Sequence, residues 1–137
     1  MTPCAFTADP ARIAAVAPGV RLVVLFGSVA RGDARPDSDA DIGVVGGEFW
    51  EQLGLGADLS LSLRREPHVV DLDTVSDWLR FDVARDGTLI YEREPGLWSR
   101  FKAEAMVRYF DLAPIIALCA DGVRRRLIED ARVQHRG

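Results

Sequence analysis

The run VRLVVLF at residues 20–26 is apolar at every position except Arg21 and ends on Gly27-Ser28. Such continuity is too great for a half-exposed strand, so the segment reads as a strand buried on both faces with a Gly-Ser turn at its mouth. After ten intervening residues Asp39-Ala40-Asp41 opens a second strand-like run, DADIGVV. In a strand over residues 39–45, Asp39, Asp41 and Gly43 share one face and Ile42 and Val44 the other, so carboxylates meet a cleft while aliphatics meet a core. A Gly-Ser turn lets backbone amides and one hydroxyl approach phosphate, and carboxylates at i and i+2 can share a divalent metal. The two halves together describe a nucleotide-transfer site. An isolated Asp-x-Asp is more often a loop that caps a neighbouring turn, and here the Gly-Ser spacing and the flanking strands favour function.

Around this pair the chain punctuates itself clearly. Asp9 is placed to cap a helix that starts on Pro10 and runs through ARIAAVA until Pro18-Gly19 stops it. Residues 28–31 can form a short helical turn, and Gly32, Asp33, Pro36, Asp37 and Ser38 make a polar loop. Between 48 and 65, Leu55, Leu59 and Leu63 fit a helix whereas Leu59, Leu61 and Leu63 alternate like a strand. Length, and the need for a crossover to a parallel strand, favour the helix. The next strand is read over residues 68–73, with Asp71 and Asp73 on one face. Asp77 is a candidate cap for a helix to Arg85, and residues 88–91 read as a short edge strand. From Gly96 onward Trp98, Phe101, Ala105, Tyr109, Leu112 and Ile116 recur at helical spacing, with a kink expected at Pro114 and a second helical segment over residues 115–133.

The chain of 137 residues, 48% hydrophobic, suits one domain over residues 1–137, with a catalytic sheet at about 10–92 and C-terminal helices at about 96–134. A net charge of -4 argues against a sequence-independent grip on nucleic acid. The N-terminus lacks a signal segment and the longest apolar runs are far short of a membrane span, so a cytoplasmic protein is expected. Cys4 and Cys119 are isolated, which suggests neither a disulfide framework nor a zinc site, and Cys119 reads as core.

Four segments in the same order, GSVARG, SDADIGV, VVDL and GTLIYE, give the chain its likeness: it resembles the minimal nucleotidyltransferases of the polymerase-β-like superfamily. The likeness is one of motif over about residues 10–92 and of general character in the C-terminal helices. It implies an α/β chain of α+β type, a mixed sheet of about four strands flanked by helices. It implies ATP as substrate and Mg²⁺, two ions, held by Asp39, Asp41 and Asp71. Asp71 is chosen over Asp73 because it matches the family's VDL pattern, and it would help deprotonate the acceptor hydroxyl. Asp73 is read as a solvated strand-end residue held in reserve. Gly27 and Ser28 would bind the phosphates. Arg31 could contact phosphate or cover the loop with its stem.

His68 and His135 have no carboxylate or cysteine at ligand spacing and are read as structural or exposed. The Arg124-Arg125-Arg126 cluster is a solvated helix face or a docking surface. With about forty-five residues after Glu92, a second substrate domain is not expected. Minimal members of this kind resemble the antitoxin half of HEPN/MNT toxin–antitoxin pairs, which implies AMP transfer to a tyrosine of a HEPN ribonuclease toxin. The alternatives are an antitoxin acting by binding alone, and an enzyme that nucleotidylates a small molecule.

Overall fold

The computed structural model describes residues 8–111 together with 122, 125 and 126. Cys4, Leu112, Pro114, Ile116, Cys119, Arg124, His135 and most of the segment 115–133 therefore lie outside the described residues.

Helix α1 (Pro10–Val16) begins as its sequence dictates, with the Asp9 carboxylate accepting the Ala11 N–H at 3.0 Å and proline at the first position, where no N–H is needed. Strand β1 (Val20–Phe26) follows, and short helix α2 (Gly27–Arg31) leaves it directly. Strand β2 (Ala40–Gly46) pairs antiparallel with β1, helix α3 (Phe49–Leu63) crosses over, and strand β3 (Pro67–Asp71) returns parallel to β2. Helix α4 (Asp77–Asp86) leads to strand β4 (Thr88–Glu92), antiparallel to β1 on its free side. Helix α5 occupies residues 97–111, and the Glu92 carboxylate accepts the Trp98 N–H at 2.9 Å in its first turn. The sheet order is β3-β2-β1-β4, a mixed sheet in an α+β chain.

Helices on both faces explain the unbroken apolar run of the central strand β1. Val23, Ile42, Val44 and Tyr91 pack with Ile13 of α1 and Leu55 and Leu59 of α3. On the other face Leu22, Val24 and Phe26 pack with Leu72, Val83, Trp98, Phe101 and Ala105. Each such side chain, fully buried, contributes roughly 1.5–3 kcal/mol. Only Arg21 in β1 reaches solvent.

The ambiguous stretch after residue 48 is helical, as expected. Its start is fixed by a reciprocal capping box in which Glu48 and Glu51 each accept the other's backbone N–H. Three expectations need correction. Strand β2 starts at Ala40, so Asp39 immediately precedes it. Strand β3 ends at Asp71, because a turn closes there and leaves Asp73 outside. The cap of α4 is Ser76, whose hydroxyl accepts the Leu79 N–H at 3.2 Å, with Asp77 inside the first turn. Among the described residues no helix is long and apolar enough to cross a membrane.

Candidate functional site

The register of β1 on β2 builds the site. Phe26 pairs with Asp41, so the next residue, Gly27, passes directly beside the Asp41 carboxylate. Gly27 has φ +74°, and a Cβ there would press into Asp41 Oδ2 and sit 3.1 Å from Asp41 Cγ. Glycine is thus required twice, for a left-handed backbone and for the space that the carboxylate occupies. α2 starts at this residue with no side-chain cap on its first turn. Ser28 Oγ has no hydrogen-bond partner among the described residues. α2 closes on Gly32, φ +82°, whose N–H returns to the Ser28 and Val29 carbonyls.

The loop from α2 to β2 is held rather than loose. Arg35 N–H donates to Ser38 Oγ at 2.9 Å, and Arg65 Nη1 donates to the carbonyls of Arg35 (2.8 Å) and Ser38 (2.9 Å). The Ala40 N–H donates to the Glu66 carbonyl at 2.8 Å. Arg65 therefore fixes the approach to Asp39 and Asp41 from the residue pair that precedes β3. Nothing in the local sequence marks it, since its partners are backbone carbonyls about thirty positions earlier.

Asp41 is 29% exposed, and its Oδ1 lies 3.0 Å from Nδ1 of His68, itself 66% exposed. The parallel pairing of Asp41 with His68 sets this contact. His68 was expected to be structural or merely exposed, yet it touches the second aspartate of the Asp-x-Asp. The spacing rule missed it because its partner lies across strands, 27 positions away. Asp39 is exposed and two residues before Asp41. The Asp39–Asp41 pair offers hard oxygen donors in a solvated cleft, the donor set that suits Mg²⁺, which keeps several waters and shares substrate phosphates.

Strand register sets Asp71, expected from the VDL likeness as a third carboxylate, apart from this pair. It pairs with Val44, whereas Asp41 pairs with His68. Three strand residues at ~3.3 Å each set Asp71 roughly 10 Å along β3, and the odd offset gives it the face opposite His68. Its carboxylate accepts the Asp73 N–H at 3.0 Å and its carbonyl accepts the Thr74 hydroxyl at 3.1 Å. Asp73 Oδ2 in turn accepts the Gly46 N–H at 3.1 Å. Both acids build the turn at the far end of the sheet.

Arg31 flanks the site from the last turn of α2, with its Nε 3.4 Å from Asp33 Oδ2 and both side chains exposed. It also lies near α4. There the hydrogen bond from Arg85 holds the Asp86 carboxyl below its ordinary range against the opposing effect of burial, and the charge of Arg31 adds in the same direction. No group of three or more His, Cys, Asp or Glu side chains is gathered for a metal among the described residues.

Solved structures share this architecture. A toxin–antitoxin crystal structure with AMP-PNP matches with a TM-score of 0.68 at 23% identity, over 82% of this chain and 94% of that one. The complex of a tri-AMPylated HEPN toxin from Shewanella oneidensis with MNT antitoxin matches at 0.62 and 21% identity, over 82% and 91%. The MntA–HepT toxin–antitoxin structure matches at 0.62 and 21%, over 82% and 92%. At these identities the likeness is one of fold. No curated protein matches the sequence significantly. The family model for polymerase beta, nucleotidyltransferase, matches residues 11–96, from α1 to the end of the sheet and including the whole Gly-Ser and Asp-x-Asp apparatus, and the chain belongs to that family.

Proposed function

We propose that this chain is a cytoplasmic antitoxin that transfers AMP from ATP to a tyrosine hydroxyl of a partner HEPN ribonuclease toxin. The observation that supports the reading is the Gly27–Asp41 juxtaposition, in which the Gly-Ser turn meets the second aspartate of the Asp-x-Asp through strand register. The solved relatives support the choice of substrate and partner, because they include complexes with AMP-PNP and with an AMPylated HEPN toxin. Mg²⁺ held by Asp39 and Asp41 would supply charge neutralisation of the triphosphate.

The chain's own groups do the remaining work. Gly27 would let phosphate approach the backbone, the first amides of α2 carry no side-chain cap, and Ser28 Oγ is available to donate to a phosphate oxygen. His68 holds Asp41 in orientation through Oδ1. In the transfer, the tyrosine oxygen bonds to the α-phosphorus and the bond from that phosphorus to the bridging oxygen breaks. Pyrophosphate leaves with the electron pair, and the phenolic proton passes to water in the open cleft. An added AMP would place negative charge and a bulky adenosine where RNA phosphate must enter the toxin. The acceptor's own surface would complete the site, at about 800 Å² per side for a typical interface.

Co-expression with the cognate toxin tests the reading. The wild-type chain should restore growth and add AMP to the toxin by intact mass, whereas Asp39→Asn and Asp41→Asn should do neither. Growth rescue by these variants at normal expression would replace enzymatic neutralisation with binding alone.

A further inference from the structure

A second feature lies at the opposite end of the sheet. Arg21 is six residues before Gly27 on β1, roughly 20 Å away at ~3.3 Å per residue. There Arg21, Arg80 and Arg100 line a cavity of about 210 Å³ together with Asp73 and Glu104. Its apolar wall is Leu22, Val45, Leu97 and Phe101.

The three guanidinium groups come from three elements, β1, α4 and α5. Among the described residues none has a carboxylate oxygen within 4 Å, whereas Arg12, Arg31, Arg85 and Arg108 each have an aspartate at that range. Against Asp73 and Glu104 the three arginines leave the lining with one net positive charge in a chain whose overall charge is -4. Arg80 is fixed in place, with Nη1 donating to the Leu72 carbonyl at 3.0 Å and the guanidinium 5.0 Å from the Phe101 ring centre. Its Nε is enclosed without a protein partner among the described residues. Asp73 is held by the Gly46 N–H at 3.1 Å.

We propose that this cavity is a separate binding site for a small phosphomonoester. A tetrahedral dianion presents oxygens toward three guanidinium groups at once, which a planar carboxylate cannot do. The volume is about seven times the ~30 Å³ share of one water, which leaves space for a short apolar group on Leu22, Val45, Leu97 and Phe101 after the phosphate is seated. The site is independent of nucleotide transfer.

Calorimetric titration of the full chain without Mg²⁺, at constant ionic strength, tests it with phenyl phosphate, inorganic phosphate and benzoate. Phenyl phosphate should bind more tightly than inorganic phosphate, and benzoate should bind at least about tenfold more weakly than phenyl phosphate. Arg21→Gln and Arg100→Gln, both at exposed positions, should each weaken phenyl phosphate about tenfold with unchanged circular dichroism, while Asp41→Asn should leave its affinity intact. Absence of phenyl phosphate binding, equal affinity for benzoate, or wild-type affinity in both arginine variants would overturn the proposal.

Discussion

Gly27→Ala isolates the geometry on which the proposed transfer rests. The new methyl would intrude on Asp41 Oδ2 and lie 3.1 Å from Cγ, so the carboxylate must withdraw by roughly 1 Å to regain ordinary contact. A shift of that size in a positioned catalytic group costs on the order of 100-fold in rate. The backbone adds a separate effect, because alanine at φ +74° is strained by roughly 1–2 kcal/mol, or a few degrees in Tm for a chain of this length. Gly96→Ala separates the two effects. Gly96 has φ +95° with nothing within 4 Å of an added Cβ, so it carries backbone strain without collision. The assay is single-turnover AMP transfer to the toxin, beside thermal unfolding of both variants. Gly27→Ala should lose about 100-fold in transfer and Gly96→Ala almost nothing, with melting points lowered in both. Transfer by Gly27→Ala within threefold of wild type would show that Asp41's position is not the quantity that matters.

Asp71→Asn should keep transfer within about threefold, because its carboxylate serves the turn after β3, while stability falls by about 1 kcal/mol; a rate loss matching that of Asp41→Asn would return it to the catalytic set. His68→Ala should reduce transfer roughly 10- to 100-fold by freeing Asp41 to rotate, the usual scale for removing a group that orients a ligand, and His68→Gln should recover part of it. Equal activity of wild type and His68→Ala would make the contact incidental. Glu51 accepts N–H bonds from Glu48 and Gly19, in that order of effect, which lower its carboxyl pKa against the opposing pull of burial. Its stabilisation is therefore complete above the unfolded carboxyl value of about 4.3 and is lost as pH falls through the lower folded value. The urea midpoints of wild type and Glu51→Gln should differ at pH 7 and converge toward pH 3, and a constant gap across that range would refute the linkage.

The legible parts of this molecule were those whose cause is local. The bounds of α1 and β1 follow from Asp9, Pro10, Pro18 and Gly27, and the Gly27-Ser28 and Asp39–Asp41 pairs declare themselves through spacing and flanking strands. Ser76 outcompeted Asp77 as a cap over a single residue, a difference that depends on backbone angles. What sequence could not supply was register. The VVDL match drew Asp71 toward Asp41, whereas the parallel pairing of β3 sets His68 opposite Asp41 and Asp71 opposite Val44. Arg65 was equally hidden, because a guanidinium that binds distant carbonyls leaves no periodicity behind.

The antiparallel pairing of Phe26 with Asp41 carries one more consequence. A slip of β2 by one residue would turn Asp41 toward the α1–α3 layer and Ile42 to the face that Asp41 now occupies, since side chains alternate along a strand. The same alternation that fills the core also sets the carboxylate beside Gly27, so a mispaired sheet cannot retain a partial site. The proposed AMP transfer would thereby report on the fold itself. During refolding, recovery of activity should coincide with protection of the β1–β2 amides from hydrogen exchange, and neither should precede the other.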